Sequence, residues 1–354
     1  MQEAGITQRD CDVPVIGGGR GLQGGLHCLT QRVIETSTAH TVLGGAALPD
    51  APGTPGWPEQ RLRMAVEGST DASWREAWCT DGPLQQGHAD GLQWRCDRDL
   101  LYGLIELDEP APDAPERGKH LRERTREAYL RLFALLGERG MPHLWRVWNF
   151  MAGINLDEDG LERYRWFNLG RHDACSAVGA ASAAQMPAAS ALGWARGPLS
   201  IAFLAGRTPP RPIENPRQVS AFHYPGDYGP RPPLFARAAL AESGRDEWLF
   251  VSGTASIVGH QTVHTGDVVA QCEETARNVL TVLDQANQVT RTAGHRAEAL
   301  SHRVYVRHTA DFPVVRRALE RCLGGAGLTL MQADICRHDL LVEVESVAHG
   351  LLLA

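Results

Sequence analysis

The fold is decided by residues 248–345, which open with the sequence WLFVSGTAS at residues 248–256. An apolar run followed by small residues predicts a strand that ends in a turn. The other elements follow in order: a helix at 267–283, a strand at 302–307, a helix at 311–323 and a closing strand at 340–345. The stretch therefore predicts a β–α–β–α–β unit.

The preceding half of the chain repeats this order. The corresponding pairs are helix 121–139 with 270–286, strand 145–148 with 302–305, helix 160–169 with 311–323, and strand 199–204 with 340–343. An internal duplication explains the repeat and predicts an α+β fold of two related sheet-plus-helices domains. Four prolines between residues 207 and 216 would stiffen a linker, so we expect domains at 1–210 and 211–354.

Composition and charge narrow the class of protein. The chain has 354 residues, 43% of them hydrophobic and 22% charged, as in an ordinary globular protein with two cores. A net charge of −7 argues against a nucleic-acid partner, which would need a basic surface. No apolar run reaches the roughly 18–20 residues of a membrane span, and no signal peptide is visible at the N-terminus. Eight scattered cysteines without a C-x-x-C pair predict reduced thiols and a cytoplasmic location.

Three motifs suggest other chemistry but lack its context. Residues 19–24 form a G-x-G-x-x-G, yet no clean amphipathic helix follows, so we expect a glycine-rich turn and no dinucleotide cofactor. His260 and His264 flank a turn without a third ligand, so no metal site is predicted. Ser252 and Ser256 lack the G-x-S-x-G elbow of a serine hydrolase.

The C-terminal unit resembles the RidA-like (YjgF-like) family. The resemblance is carried in order by VSGTA at 251–255, the helix at 267–279, the strand–helix joint at 304–312 and VEVE at 342–345. That family has a pocket arginine before the closing strand, and the aligned position here is about Leu328. The resemblance therefore implies the fold. The absence of the pocket arginine disfavours the imine hydrolysis that RidA proteins catalyse.

The longer N-terminal half resembles the chorismatases, a branch that cleaves chorismate on this fold. Its motifs are RVWNF at 146–150, IN at 154–155, GLERY at 160–164, FNLGR at 167–171 and YGPR at 228–231. Together the two resemblances span roughly residues 95–350. They imply a small-molecule substrate, chorismate, and no cofactor. RidA-like domains usually associate in threes, so the chain is expected to be a monomer or a homotrimer.

The closing strand supplies the candidate catalytic acid, Glu343. Because side chains alternate along a strand, Glu343 and Glu345 share one face, with Val342 and Val344 on the other. Apolar neighbours disfavour the ionised carboxyl and raise its pKa toward that of a useful proton donor. Both family resemblances give the catalytic role to the first of the two acids, and Glu345 is expected to make structural contacts.

Chorismate carries two carboxylates, which call for planar, two-pronged cationic donors such as arginine. Several arginines and tyrosines lie in or near the chorismatase-like motifs. The candidate substrate-binding residues are Arg163, Tyr164, Arg171, Tyr224, Arg231 and Arg307.

Gly253 and Cys336 are the candidate pocket-shaping residues. Among chorismatases the corresponding pair separates product classes, and this pair resembles the members that release a hydroxybenzoate. The resemblance then implies that Glu343 protonates the enolpyruvyl group, the C4 hydroxyl closes on C3 as pyruvate leaves, and the oxide rearranges to 3-hydroxybenzoate. Three alternatives stay open: 4-hydroxybenzoate, hydrolysis to a dihydroxycyclohexadiene carboxylate, and a RidA-like imine deaminase or metabolite-binding protein.

Overall fold

A computed structural model describes residues 26–31, 41–51, 56–67, 74–111, 113–180, 185–324 and 327–353. The glycine motif at 19–24 lies outside these residues. The helices are α1 (Arg117–Arg139), α2 (Arg163–Ala177), α3 (Val268–Asn287) and α4 (Phe312–Leu323). None of these helices is long and apolar enough to cross a bilayer.

The strands of the N-terminal half are β1 (Leu26–Gln31), β2 (Val42–Ala47), β3 (Glu59–Arg61), β4 (Arg75–Thr80), β5 (Gln85–Ala89), β6 (Leu92–Cys96), β7 (Leu100–Leu107), β8 (His143–Ala152), β9 (Asp157–Glu158), β10 (Leu161–Glu162), β11 (Ala188–Trp194) and β12 (Leu199–Gly206). The strands of the C-terminal half are β13 (Arg211–Ile213), β14 (Ala238–Ser243), β15 (Asp246–Ala255), β16 (Ile257–Val258), β17 (Gln261–Thr262), β18 (Ser301–Val306), β19 (Leu328–Gln332), β20 (Asp334–Ile335) and β21 (Val342–Leu351).

Two of the sheets share one topology, and the predicted α+β class is confirmed. The N-terminal sheet has the order β20-β11-β8-β12-β7-β6-β5, and the C-terminal sheet has the order β13-β14-β15-β21-β18-β19. In each, the last strand of the unit lies between the first two: β12 between β7 and β8, and β21 between β15 and β18. The parallel pairs β8–β11 and β18–β19 also correspond. The two halves are therefore built on the same plan, in which β11 and β19 add one strand to each predicted β–α–β–α–β unit.

A third sheet, β1-β4-β2-β3, packs against both units. Its Trp78 lies 6.1 Å from Trp148 of the N-terminal sheet and 5.4 Å from Trp248 of the C-terminal sheet, measured between ring centroids. Such aromatic contacts bury much apolar area per residue. The three sheets therefore meet around one aromatic core.

Helix α3 carries the capping expected at its start. The Asp267 side chain accepts hydrogen bonds from the backbone N–H groups of Val269 and Ala270, which would otherwise lack partners at a helix N-terminus. Its buried face includes Cys272, Val279 and other residues of the C-terminal core. The helix thereby covers one face of the C-terminal sheet.

One predicted helix has other boundaries. The helix predicted at 160–169 begins only at Arg163, because Asp159 and Gly160 both have positive φ and form the turn of the β9–β10 hairpin. An Asp-Gly pair is a typical hairpin turn. Residues 62–67 follow β3 and form a single bridge, from Val66 to Met331.

Candidate active site

Glu343 lies in β21, between β15 and β18 of the C-terminal sheet. Only 3% of the residue is exposed. Burial, and then the negative charge of Glu345, raise the pKa of the Glu343 carboxyl to about 8, while Arg146 opposes the rise. Glu343 is therefore mainly a neutral carboxylic acid near pH 7, able to donate a proton.

Glu345 faces a set of hydrogen-bond donors and does not line the cavity at Glu343. It accepts hydrogen bonds from Trp148 Nε1 at 3.1 Å and Ser190 Oγ at 3.0 Å. It also pairs with Arg146 and, at 3.4 Å, with Arg303. Two guanidinium groups thus compensate the burial of the Glu345 carboxylate, two residues from Glu343.

Gly253 leaves the space in which the Glu343 carboxyl lies. A Cβ on Gly253 would overlap Glu343 Oε1 and lie 2.8 Å from its Cδ. The predicted turn at this point is in fact part of β15, whose pairing with β21 is irregular between Val251 and Thr254. Such an irregularity changes the direction of a side chain without ending the strand.

Cys336 lies on the other side of the carboxyl. Its Sγ is 4.0 Å from Glu343 Oε2. Burial, together with the Glu343 carboxyl, raises the pKa of the Cys336 thiol to about 12. A thiol in this state is a poor nucleophile, so the structure gives no support to a nucleophilic role for Cys336.

Gly253, Cys336 and Glu343 line a cavity of about 540 Å³ between the two units. Its volume is within the usual range for small-molecule sites. The other lining residues are Glu162, Tyr164, Arg165, Tyr224, Asp227, Tyr228, Pro233, Phe235, Arg237, Ala255, Ile257, Gln261, Thr262, Arg337, His338 and Asp339. The cavity thus joins a buried acid to a polar and aromatic wall.

Arg237 and Arg337 line this cavity without an ion-pair partner among the described residues. Arg237 is 5% exposed, and its Nε has no hydrogen-bond partner in the described part of the chain. Arg337 donates to the backbone oxygen of His260 at 2.8 Å, and its guanidinium carbon lies 4.1 Å from the Tyr228 ring centroid. Unpaired guanidinium groups in a cavity favour an anionic ligand.

Tyr224 and Tyr164, both predicted from the sequence, line the same cavity. The Tyr224 hydroxyl accepts a hydrogen bond from Arg237 Nη2 at 2.8 Å. Burial raises the pKa of the Tyr164 phenol, so this group stays protonated. Tyr224 thus helps to orient Arg237.

Arg307 lies outside the lining and binds the loop that carries Cys336 and Arg337. It donates to the backbone oxygens of Leu340 and Arg337, both at 2.8 Å, and pairs with Asp334 at 3.0 Å. These bonds occupy the guanidinium. The structure therefore gives Arg307 the position of a support for the site rather than a contact with its contents.

Arg163 is also absent from the lining, because it is completely buried at the start of α2. Its guanidinium pairs with Glu158 at 2.6 Å and with Glu109, and it donates to the backbone oxygen of Ala152 at 2.7 Å. The neighbouring Arg165 lines the cavity instead, and it pairs with Glu162 at 3.4 Å.

Arg171 and Arg231 lie away from the lining as well. Arg171 is buried on α2 and lines a separate cavity, whereas Arg231 is exposed on the loop after Tyr228. Of the four arginines predicted from the sequence, none is therefore among the residues that line the cavity at Glu343.

Arg237 and Arg337 had detectable signals in the sequence. Arg337 directly follows Cys336, and Arg237 ends the proline-rich loop that holds Tyr224. Leu328, aligned with the RidA pocket arginine, begins β19 and is not part of the lining. Arg337, which also precedes the closing strand, lines the cavity.

A family model described as "Chorismatase FkbO/Hyg5-like, N-terminal" matches residues 76–205. A protein named chorismatase from Streptomyces rapamycinicus is 42% identical over 326 residues, covering 89% of this chain and 91% of that protein. A protein named 3-hydroxybenzoate synthase from Streptomyces hygroscopicus is 38% identical over 302 residues, covering 82% and 86% respectively.

A solved structure shows the same similarity in three dimensions. The crystal structure of a chorismatase, 32% identical in sequence, superposes with a TM-score of 0.80 and covers 95% of this chain and all of that one. The similarity therefore extends over both units and the cavity between them.

Proposed function

Because this chain belongs to the chorismatase family, we propose that it cleaves chorismate to pyruvate and a hydroxybenzoate. One observation carries the proposal: a carboxylic acid with a raised pKa, Glu343, lines a cavity that also presents two arginines without ion-pair partners among the described residues. A dianion with an acid-labile enol ether fits both features.

Glu343 is the proton donor in this proposal. At pH 7 a carboxyl with a pKa of about 8 is mostly protonated, and it can protonate the methylene carbon of the enolpyruvyl group. That carbon becomes the methyl group of pyruvate. The proton lost by the C4 hydroxyl returns to Glu343, so the acid is regenerated without water entering the reaction.

Arg237 and Arg337 bind the two carboxylates of chorismate in this proposal. Arg337 can offer two parallel N–H donors to a carboxylate, which fixes both position and orientation. Arg237 Nη2 already donates to Tyr224 and to the backbone oxygen of Val219, so Arg237 binds through its remaining N–H groups. The guanidinium carbon of Arg337 lies against two neighbouring rings, 4.1 Å from the Tyr228 centroid and 5.3 Å from the Tyr224 centroid. This support reduces the freedom that the side chain loses on binding.

The proposed product is 3-hydroxybenzoate, with 4-hydroxybenzoate as a further outcome. In the proposed route the C4 oxygen attacks C3 as the C3–O bond to the enolpyruvyl group breaks. The resulting oxide opens and loses the C3 proton or the C4 proton to give the aromatic ring. The Gly253–Cys336 pair supports this route because it places the Glu343 carboxyl close to the strand and leaves a thiol beside it.

Incubation with chorismate, followed by chromatography of the products, tests the proposal. Pyruvate with one equivalent of hydroxybenzoate is the expected result, and in deuterium oxide the pyruvate methyl group should carry one deuteron. Pyruvate with a dihydroxycyclohexadiene carboxylate would identify a hydrolase instead. Absence of turnover would contradict the proposed activity and favour a binding protein.

A further inference from the structure

A second cavity, of about 310 Å³, lies in the N-terminal unit between α1, α2 and β8. Its walls are mainly apolar and include Tyr129, Phe133, Leu144 and Leu234. It shares no lining residue with the cavity at Glu343. Its volume lies near the lower end of the range for small-molecule sites.

The one fixed positive charge among the described lining residues is Arg171. It is 5% exposed, its guanidinium makes no hydrogen bond or ion pair with another described residue, and its buried Nε has no partner there. Its guanidinium carbon lies 5.1 Å from the Tyr129 ring centroid. Since no Asp or Glu is among the described residues of the lining, this buried charge lacks a counter-ion there.

An uncompensated buried charge is costly, and proteins keep one mainly where a ligand or substrate neutralises it. The contrast with Arg163 on the same helix is informative. Arg163 is equally buried but pairs with Glu109 and Glu158. The chain thus compensates one buried arginine of α2 internally and leaves the other facing a cavity.

We propose that this second cavity binds a small aromatic monocarboxylate. A single guanidinium matches a single carboxylate, whereas the cavity at Glu343 offers two unpaired arginines. The ring of the ligand would pack against Phe133, Leu144 and Leu234, which are apolar and close to Arg171. The Tyr129 ring beneath the guanidinium fixes the direction of the cation.

The probe for this site is 3-fluorobenzoate, and its binding to the full chain is measured by a titration observed with ¹⁹F NMR. The expected result is a bound resonance that disappears in Arg171→Met and weakens in Arg171→Lys. Loss of a charged hydrogen-bonding partner predicts an increase in Kd of about tenfold or more. In Arg337→Met, which alters only the other cavity, this resonance should persist.

Two comparison ligands define the chemistry of the site. Benzyl alcohol, which lacks the carboxylate, and acetate, which lacks the ring, should each bind at least tenfold more weakly than 3-fluorobenzoate. A crystal soaked with 3-iodobenzoate should show anomalous density beside Arg171. Circular dichroism establishes that each variant is folded.

The proposal is overturned if Arg171→Met, while folded, binds 3-fluorobenzoate as the parent chain does. It is equally overturned if the iodine density lies only beside Glu343, or if no binding is detected at millimolar concentration. These measurements involve no turnover, so they stand apart from any test of chorismate cleavage.

Discussion

Gly253 and Glu343 lie on the neighbouring strands β15 and β21, and the absence of a side chain at Gly253 makes room for the Glu343 carboxyl. The position of the proposed proton donor therefore depends on a glycine in the next strand. The pair explains why a short turn-like sequence, VSGTA, lies beside the acid in space although about ninety residues separate them in the chain.

Gly253→Ala should displace the Glu343 carboxyl, because the new Cβ would overlap Oε1. We expect release of hydroxybenzoate to fall at least about tenfold, because a misplaced acid is no longer aligned with the substrate. Any remaining pyruvate should be accompanied by a larger share of the dihydroxycyclohexadiene carboxylate. Product chromatography measures both. Gly226→Ala is the matched control, because a Cβ there meets nothing within 4 Å; an unchanged product ratio in Gly253→Ala would contradict the account.

The neighbours of Glu343 should set the pH dependence of the reaction. The free enzyme must hold Glu343 protonated, so kcat/KM should be level at lower pH and fall above about pH 8. Glu345→Gln removes the negative charge that raises the pKa, and the fall should move to lower pH. Arg146→Met removes the opposing positive charge, so the fall should move to higher pH. Profiles that coincide in all three proteins would exclude Glu343 as the titrating group.

Arg337→Met and Arg237→Met should each weaken chorismate binding. Loss of one charge-assisted interaction is worth about 1.5–3 kcal/mol, or roughly tenfold to hundredfold in KM. Arg231→Met is the discriminating comparison, because the sequence motif predicted a role that its exposed position does not support. Steady-state kinetics of pyruvate release measure all three. A large rise in KM for Arg231→Met alone would favour the motif-based assignment.

The pKa of Glu343 should also affect stability. The carboxyl has an ordinary value of 4.5 and a folded-state value of about 8, so between these values the folded chain binds more protons than the unfolded chain. Stability due to this group is complete below pH 4.5 and declines as the pH rises to 8, by about 1.4 kcal/mol per pH unit. Glu343→Gln lacks this titration. Between pH 4.5 and pH 8 its free energy of unfolding should therefore rise relative to that of the parent chain. Denaturant unfolding at several pH values measures the difference, and a constant difference would contradict burial of an acid at this position.

Much of this site could be predicted from the sequence. Alternation along the closing strand placed Glu343 and Glu345 on one face, and the family resemblances singled out Glu343, whose catalytic role stays a prediction. The repeated order of elements indicated two units with one plan. The segments around Tyr164, Tyr224, Gly253 and Cys336 were likewise correctly located at the cavity.

The arginines could not be assigned in the same way. Whether an arginine can bind a ligand depends on whether it already pairs with an acid that is distant in sequence. Arg163, for example, pairs with Glu109, 54 positions away. Arg307 is occupied by the backbone of the loop before β21. Such pairings follow from tertiary packing and leave no periodic signal. The domain boundary at residue 210 and the state of association stay predictions.

The third sheet also could not be predicted from the sequence. Its strands are short, and β2 contains two adjacent glycines that permit close packing: a Cβ on Gly44 would overlap the Tyr102 ring, and one on Gly45 the backbone of Glu76. Glycine-rich strands carry little hydrophobic pattern, so neither their pairing nor their contribution to the aromatic core was predictable.

The most direct test is pyruvate release from chorismate by Glu343→Gln, compared with the parent chain and with Glu162→Gln, which removes another carboxylate from the same cavity. The account predicts a loss of at least about a hundredfold in kcat for Glu343→Gln in a folded protein, with measurable turnover in Glu162→Gln. A Glu343→Gln protein that releases pyruvate at the parent rate would contradict the assignment of Glu343 as the proton donor.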